Sequence, residues 1–324
     1  MQKRGKTANG KQRWMCLACQ KSTLRHRHDR TLFWRRKLFE TWITGNRSLT
    51  EVAQGLGVTR QTLERWFAVF WDEPPPALPP VPNLKHEVLV IDAIYLAGRF
   101  HAALIGRTPT RPVHYSFALR ESFVSWLEFS EGLGAASAPF AVVLDGQRGG
   151  LAMVKALWPS ALVQRCLAHV TRRVKNKLTL NPKTEAGREL RALTNALFNV
   201  WTPEDRDAWL KAFQVWEDQW LPLALAKTKG LNQNGRQTWW YTHKNLRGGY
   251  IHLKNALPNL FTYVNHPNIP RTTNHVEGGI NSRLKELIYR HRGFSLLQKQ
   301  ILVATFLVLK GTSESRQKPP QNVT

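Results

Sequence analysis

The stretch Glu87-Val-Leu-Val-Ile-Asp-Ala-Ile-Tyr-Leu96 contains a single carboxylate, Asp92, within an apolar and β-branched run. Such a run is typical of a buried β-strand. An ionised aspartate without a partner is costly inside a buried strand, because it loses its hydration. We therefore expect a metal ion, a cationic partner or a catalytic role to account for Asp92.

The segments that follow this strand predict an α/β sheet. Further strands are expected at 99–105, at 113–120 after a Pro-containing turn, at 140–145 and at 161–165, with helices at 121–132 and 151–158. Three antiparallel strands followed by parallel strand–helix units are the order of a ribonuclease H-like α/β domain.

Asp145 ends the strand expected at 140–145 and precedes a Gly-rich turn. The carboxyl edge of parallel strands is where α/β sheets place their chemistry. Asp92 and Asp145 on adjacent strands, with a third acid, would have the oxygen ligands needed to hold two divalent ions at a scissile phosphate. The alternative is that Asp145 only caps the turn and the helix after it.

The charge balance indicates a polyanionic partner. The chain has 324 residues, with 47 Lys and Arg against 22 Asp and Glu, a formal charge of +25. Nucleic acid is the expected partner, ahead of an anionic membrane surface. The chain has no apolar run long enough for a transmembrane helix and no signal peptide pattern, and its three cysteines are too few for a disulfide scaffold. These features favour a cytoplasmic protein.

Residues 1–30 are polar and basic and contain Cys16-Leu-Ala-Cys19. A Cys-x-x-Cys knuckle is half of a zinc site, since tetrahedral zinc needs four ligands. His26 and His28 could complete the site, yet no strand pattern separates them from the cysteines. Zinc binding by an incomplete ribbon and a disordered basic arm with two free thiols both remain open.

Residues 31–71 predict three helices. Ser48-Leu-Thr-Glu51 matches a capping box, and the third helix has an apolar face at i, i+3, i+4 and i+7. The start of that helix leaves polar and basic residues free, as in a helix-turn-helix that enters a DNA major groove. An ordinary three-helix packing unit is the alternative. The expected DNA-contacting residues are Arg60, Gln61 and Arg65.

Residues 72–86 are rich in proline and predict a semi-rigid linker. The catalytic domain is expected to span 87–310, with a helical insertion at about 179–270 and a closing helix from Phe294 to Leu309. Residues 311–324 are expected to be a disordered tail. Tryptophans at helical spacing in the insertion favour core positions, and base stacking is considered for Trp239 and Trp240.

A further acid, Glu277, lies in Thr273-Asn-His-Val-Glu277, ahead of a helix that carries Asn281 and Arg283. Together with Val-Ile-Asp92, Val-Leu-Asp145-Gly and Cys166-Leu-Ala-His169, this segment resembles the Mutator-like DDE transposases, in particular their bacterial insertion-sequence branch. The resemblance extends from Gly5 to about Lys310.

The resemblance implies that Asp92, Asp145 and Glu277 are catalytic and bind Mg²⁺ or Mn²⁺, two ions per site. It places Cys166 and His169 near the site. Asn274 and His275 would orient Glu277 or contact phosphate. From the residues alone, Glu277 is equally a first-turn glutamate favoured by the helix dipole, and Cys166 and His169 are equally a buried thiol and a satisfied histidine.

Cations that follow the second acid would form a basic wall for phosphates, and one further cation lies on the helix after Glu277. They are Arg172, Arg173, Lys175, Lys177 and Arg283.

The function expected from these features is that of a DNA transposase that binds insertion-sequence ends and catalyses Mg²⁺-dependent strand cleavage and strand transfer. Its partners would be double-stranded terminal repeats and target DNA, handled by a homodimer or larger assembly at the bacterial nucleoid, with no membrane partner. The alternative is a non-catalytic DNA-binding protein, either a repressor or a decayed transposase, because the family's N-terminal ribbon has a second cysteine pair that this chain lacks.

Overall fold

A computed structural model describes residues 1–24, 28–81, 83–134, 137–231, 233–273 and 280–315. It divides into two compact units. One contains Met1–Pro76 and Leu287–Phe306, and the other contains Ala77–Glu286 and the residues from Leu307 onward. No helix in the described ranges combines the length and apolar character needed to cross a membrane.

The N-terminal segment forms a three-stranded antiparallel sheet of β1 (Gln2–Lys6), β2 (Gln12–Met15) and β3 (Ser22–Leu24). The interpretation of residues 1–24 as a disordered arm is therefore wrong. These strands are short and β1 is fully exposed, so no apolar alternation marks them in the sequence. Backbone pairing, with Lys3 opposite Trp14 and Arg13 opposite Leu24, holds them together.

The three predicted helices are present as α1 (His28–Ile43), α2 (Leu49–Gly55) and α3 (Arg60–Trp71). The predicted capping box opens α2. Ser48 N donates to Glu51 Oε2 at 2.6 Å, and Glu51 N donates to Ser48 Oγ at 3.2 Å. These two bonds satisfy amide groups that the first helical turn cannot pair internally.

Aromatic rings fill the core of this first unit. Phe39 packs edge-on against Trp71 at 4.8 Å between ring centroids, and Trp42 stacks on Phe67 at 5.3 Å. Phe294 also belongs to this core and lies 5.2 Å from Trp71. The residues around Phe294 therefore pack with the N-terminal helices, although the sequence assigned them to a closing helix of the catalytic domain.

The second unit contains a mixed five-stranded sheet in the order β6-β5-β4-β7-β8. Strands β4, β5 and β6 are antiparallel, and β7 and β8 run parallel to β4. The predicted α/β order is confirmed at this level. The strands are β4 (Val88–Ala97), β5 (Phe100–Arg107), β6 (Pro112–Ala118), β7 (Ala141–Leu144) and β8 (Leu162–Arg165), and the helices between and after them are α4 (Phe123–Leu133), α5 (Arg148–Leu157) and α6 (Leu167–Leu178).

Both faces of this sheet are buried, as the continuous apolar character of β4 predicts. Leu89 and Ile91 share a core with Trp126 and Phe129 of α4. Val88 and Val90 point to the opposite face, into a core that contains residues of α6 and the insertion. The end of the linker contributes to the first of these cores, because Val81 and Leu84 are buried there.

The insertion contains the expected helices and, in addition, a β-hairpin that the sequence did not predict. Trp209, Phe213 and Trp216 are buried, and Phe213 and Trp216 stack on Tyr250, which confirms their core role. The helices are α7 (Glu185–Ala196), α8 (Pro203–Leu225), α9 (Lys244–Ala256) and α10 (Thr262–Asn265), with 3-10 turns at Leu197–Asn199 and Leu257–Asn259, and the hairpin is β9 (Lys227–Leu231) and β10 (Gln237–Tyr241).

Two further helices follow, α11 (Ile280–Arg290) and α12 (Leu296–Ser315). The expected disordered tail from residue 311 is wrong for its first part, because α12 continues to Ser315. Gly311 does not end the helix, and a Cβ placed there would only touch the Leu78 side chain at 3.4 Å.

Gln164 of β8 should be required for stability of the second unit. It is fully buried, its Nε2 donates to Leu260 O at 2.9 Å, and its Oε1 accepts from Tyr263 N at 3.1 Å. Gln164→Leu keeps the volume but leaves two buried backbone groups unpaired, so we expect a loss of about 3 kcal/mol of unfolding free energy. Urea unfolding measures this loss. Gln219→Leu, at an exposed site on α8, is the control, and an equal effect of both changes would contradict the prediction.

Candidate active site

Asp92 and Asp145 lie at the same level on neighbouring parallel strands. Val88 pairs with Ala141 and Val90 with Val143, and in each pair the second residue follows the first by 53 positions. Asp145 also follows Asp92 by 53 positions, so the same register brings the two aspartates side by side. Side chains alternate along a strand, and Asp92 therefore shares the sheet face of Val88 and Val90. The register places both carboxylates on the face that α6 covers, and both line one cavity.

Two side chains from the far end of the chain hold the Asp92 carboxylate. Oδ2 accepts from Asn281 Nδ2 at 2.6 Å and from Thr273 Oγ1 at 3.1 Å, while Oδ1 accepts from Ala93 N at 2.9 Å. Asn281 is buried, and its Oδ1 has no hydrogen-bond partner among the residues that the structure describes. Asp92 is thus fixed in orientation by neutral donors, and a buried amide oxygen beside it is left open.

Hydrogen bonds hold the backbone of residues 271–273 against the start of α6 and against β5. Leu167 N donates to Arg271 O at 2.9 Å, and Thr273 N donates to Cys166 Sγ at 3.2 Å. The buried Arg107 guanidinium donates to Thr273 O. These bonds explain how a threonine distant in sequence reaches Asp92.

Cys166 and His169 form a hydrogen-bonded pair below this segment, with 3.2 Å between Cys166 Sγ and His169 Nδ1. Burial acts to raise the pKa of the Cys166 thiol, but the bonds from His169 and Thr273 outweigh it and the pKa lies below its usual value. Burial acts to lower the pKa of His169, but its bond to Cys166 and the negative charges of Cys166 and Asp92 raise it. Both shifts stabilise the charged form of each group relative to the same group in water.

A tight turn and a buried cation position Asp145. Its Oδ1 accepts from Gln147 N at 2.7 Å, and Gly146 has a φ of +83°. A Cβ at Gly146 would also overlap the Arg165 guanidinium, which is buried and donates to Asp145 O at 3.3 Å. The N-cap of α5 is Gln147, so the alternative that Asp145 itself caps that helix is wrong.

Glu121 is a third acid at the site that the sequence did not single out. Burial raises its pKa to about 7, the charges of Asp145 and Asp92 add to the effect, and His169 opposes it. Gln147 Nε2 donates to the backbone oxygen of Glu121 at 2.8 Å and so ties the start of α4 to the Asp145 turn. The available signal was that Glu121 is the first residue of the predicted helix at 121–132 and directly follows a predicted strand.

The cavity has a volume of about 640 Å³ and separates charges of opposite sign. Acids on the sheet form its base, and cations on α6 and α11 form its wall. This layout suits an anionic substrate that is held by the wall over oxygen ligands able to bind a cation. The lining residues are Asp92, Ala93, Tyr95, Glu121, Asp145, Gln147, His169, Arg172, Arg173, Asn176, Lys177 and Lys285.

Some predicted residues do not line this cavity. Lys175 is absent from it, and Arg283 forms an exposed ion pair with Glu286 at 2.7 Å. Arg60, Gln61 and Arg65 are exposed on α3 in the first unit. Asn274, His275 and Glu277 lie outside the described residues, and among the described ones no group of three His, Cys, Asp or Glu is close enough to hold a metal ion.

Cys16 and Cys19 lie on the turn between β2 and β3. Hydrogen bonds from the backbone N–H groups of Cys19 and Ala18 lower the pKa of Cys16, as a metal-binding thiolate requires. His28 begins α1, and His26 lies outside the described residues. The described part of the chain thus presents a folded turn with two thiols.

The Cys166–His169 pair can be tested by thiol titration. In a chain with Cys16→Ser and Cys19→Ser, Cys166 is the remaining thiol. Replacing His169 by Phe removes its hydrogen bond and positive charge, so we expect the thiolate to form at higher pH than in the parent chain. Ultraviolet thiolate absorbance against pH measures this. His114→Phe on β6 is the control, and an unchanged midpoint in His169→Phe would refute the pairing.

Glu121 should make stability depend on pH. Its pKa is raised on folding, so its stabilising proton is bound more tightly in the folded state and is lost as pH rises from about 4.5 to about 7. Glu121→Gln should therefore raise the unfolding free energy above pH 7, by up to about 3 kcal/mol, and leave it nearly unchanged below pH 4.5.

Urea unfolding across this pH range measures the effect of Glu121→Gln. The matched control is Glu128→Gln on the exposed face of α4. If Glu121→Gln raised the unfolding free energy by the same amount at every pH, removal of the charge would not be the cause.

Comparisons with protein-family models and with curated proteins return no match for this chain. Its function is therefore inferred from the residues of the site and their geometry.

Proposed function

We propose that this chain is a DDE-type DNA transposase that cleaves DNA strands at the ends of a mobile element and joins them to target DNA. The observation that carries the proposal is the placement of Asp92 and Asp145 at one level of adjacent strands, in a cavity with a cationic wall. The resemblance in sequence supplies Glu277 as the third acid.

The sheet supports a ribonuclease H-like assignment. Its order is β6-β5-β4-β7-β8, with the first three strands in sequence antiparallel and the last two parallel to β4. A ribonuclease H-like catalytic domain has this order, and here Asp92 lies within the first strand of the sheet and Asp145 directly follows the fourth. The insertion at 179–270 then lies between the second acid and the third.

The donor set fits magnesium. Mg²⁺ prefers hard oxygen ligands and is usually held by one or two carboxylates, with water and substrate phosphate completing the shell. Asp92 and Asp145 supply carboxylate oxygens, Glu277 would add another, and the open Oδ1 of Asn281 lies on the residue that binds Asp92. When bound, two such ions would activate the attacking oxygen and stabilise the leaving one.

The chain's own residues bind and orient the substrate. Arg172, Arg173, Lys177 and Lys285 face the cavity and neutralise phosphate charge. Asn281 and Thr273 keep Asp92 in one rotamer, so its oxygens need little reorganisation before binding a cation. In the proposed reaction water attacks a phosphodiester at the element end and breaks its P–O3′ bond, which leaves a 5′-phosphate and a free 3′-hydroxyl. That hydroxyl then attacks a phosphodiester of the target strand and displaces the target's own 3′-oxygen, so one bond forms as one breaks.

The first unit supports a role in recognising DNA ends. The turn after α2 contains Gly57 with φ +65°, and α3 begins at Arg60 with Thr59 as its N-cap. Arg60, Gln61 and Arg65 are exposed at the start of α3. We propose that α2 and α3 form a helix-turn-helix and that these side chains contact the major groove.

These exposed cations also fit the second candidate, a DNA-binding protein without catalytic activity. The two candidates share the first unit and differ in what Asp92 and Asp145 do. Divalent-dependent cleavage therefore separates them.

Asp145→Asn should abolish cleavage and preserve binding. The assay is nicking of a plasmid that carries the coding sequence with its native flanking DNA, in Mg²⁺ or Mn²⁺. Since loss of a metal ligand removes several kcal/mol of transition-state stabilisation, we expect at least about a hundredfold slower nicking. Duplex binding should remain, whereas Arg60→Gln with Arg65→Gln should weaken it and reduce its salt dependence.

Asp218→Asn, an exposed acid on α8, controls for the change of charge. Nicking by folded Asp145→Asn at the parent rate would refute the catalytic assignment. Duplex binding by a parent chain that shows no nicking in either metal would favour the second candidate.

A further inference from the structure

The β9–β10 hairpin presents aromatic and basic side chains on one face. Lys229 pairs with Trp239 and Lys227 with Tyr241, so these four side chains share a face. Lys227 Nζ lies 4.0 Å from the centroid of Trp239, and the Arg247 guanidinium lies 3.9 Å from that of Tyr241. Rings and cations thus alternate along a single surface.

This face is exposed to an unusual degree for its composition. Trp239 keeps 51% of its surface accessible, and Leu231 on the same face keeps 66%. A cavity of about 620 Å³ lies against the face and is lined by Lys229, Gly230, Leu231, Gln237, Thr238 and Trp239. Large exposed apolar groups at a cavity mark a binding surface.

Trp240 has a different role from Trp239. It points to the opposite face of the hairpin, where its ring covers Gly230. A Cβ at position 230 would lie 2.7 Å from that ring, so the close contact requires glycine. Trp240 therefore braces the hairpin on its other face, although 47% of its surface is accessible, and Trp239 is the ring that lies beside Lys227 and the cavity.

The net positive charge of the residues between Asp218 and Glu277 favours a polyanionic ligand. Between Asp218 and Glu277 the chain has no Asp or Glu, and it has seven Lys or Arg. An apolar peptide would not need these cations, and an acidic peptide would not need exposed rings. Nucleic acid satisfies both requirements, because phosphates bind cations and bases stack on aromatic faces.

Two cavities that share Lys177 lie at the candidate active site and at the residues that directly follow the hairpin, all within the same unit, and we call the second cavity the Lys177–Lys244 groove. Lys177 lines the cavity that contains Asp92 and Asp145, and it also lines a second cavity of about 390 Å³. That second cavity includes Thr242, His243 and Lys244, which directly follow β10. A strand leaving the acids can therefore follow cations to the hairpin.

We propose that the Lys177–Lys244 groove and the Lys227–Trp239 face of the hairpin bind a single DNA strand whose unpaired bases stack on Trp239. The paired bases of a duplex do not expose their faces, so the stacking requires a single strand. The proposal deepens the proposed function, on which it rests, by assigning a place to the strand that is unpaired next to a cleavage site.

The test measures binding of a short labelled oligothymidylate to the full chain, beside a duplex and an oligouridylate of equal length. Trp239→Leu should weaken oligothymidylate binding about fivefold or more and leave duplex binding within about twofold. Trp239→Phe, which retains a stacking face, should stay within about twofold of the parent. Lys229→Gln should weaken binding, whereas Lys211→Gln on the exposed face of α8 should not.

A second measurement leaves the protein unchanged. An abasic oligodeoxynucleotide of equal length keeps the phosphates and removes the bases, so the parent chain should bind it about fivefold or more weakly. The proposal would be overturned if the parent chain bound the abasic strand as tightly as oligothymidylate. It would also be overturned if Trp239→Leu lost the same factor of affinity for the single strand and for the duplex. Tighter binding of oligouridylate than of oligothymidylate would overturn the choice of DNA.

The two proposals fail separately. Nicking that depends on Asp145, with oligothymidylate binding that does not depend on Trp239, would refute the hairpin assignment and leave the transposase assignment standing. Binding that depends on Trp239 in a chain without any nicking would support the single-strand surface and refute the catalytic proposal.

Discussion

Repulsion between two aspartates on adjacent parallel strands is the constraint that the second unit has to accommodate. The β4–β7 register brings Asp92 and Asp145 to the same level, and Glu121 adds a third acid whose raised pKa reflects burial and their charges. Arg165 lies buried behind Asp145, and Asn281 and Thr273 donate to Asp92. Each compensating group comes from a different element, so the site exists only when the whole unit is folded.

The insertion is part of this arrangement because it fixes the segment that reaches Asp92. Arg271 donates to Phe198 O at 3.0 Å and its guanidinium lies 3.4 Å from the centroid of Trp201. The next residues bind Cys166 and Asp92 through Thr273. Packing of Trp209, Phe213 and Trp216 in the insertion thereby supports the orientation of a carboxylate on the sheet.

Sequence patterns over a few residues predicted the elements that depend on interactions between residues close in sequence. The apolar run of β4, the capping box at Ser48 and the strand end at Asp145 were all predictable, and the two aspartates could be matched by their apolar strands. The hairpin and the N-terminal sheet were missed because their strands are short, contain no buried residue and are stabilised by pairing. The contacts of Thr273 and Asn281 with Asp92 span 181 and 189 residues, beyond any sequence period.

The cations and the acids that line the cavity have opposite electrostatic effects on a phosphodiester. Arg172, Arg173, Lys177 and Lys285 attract it into the cavity, while Asp92 and Asp145 repel it from the reacting position. Under the proposed function, divalent cations reverse the second effect, because they turn a negative sheet edge into a positive one. Without metal, the cations alone would hold the substrate near the site. The substrate would reach the acids only when metal is bound, so it would bind in a reactive position only in a protein that can catalyse the reaction.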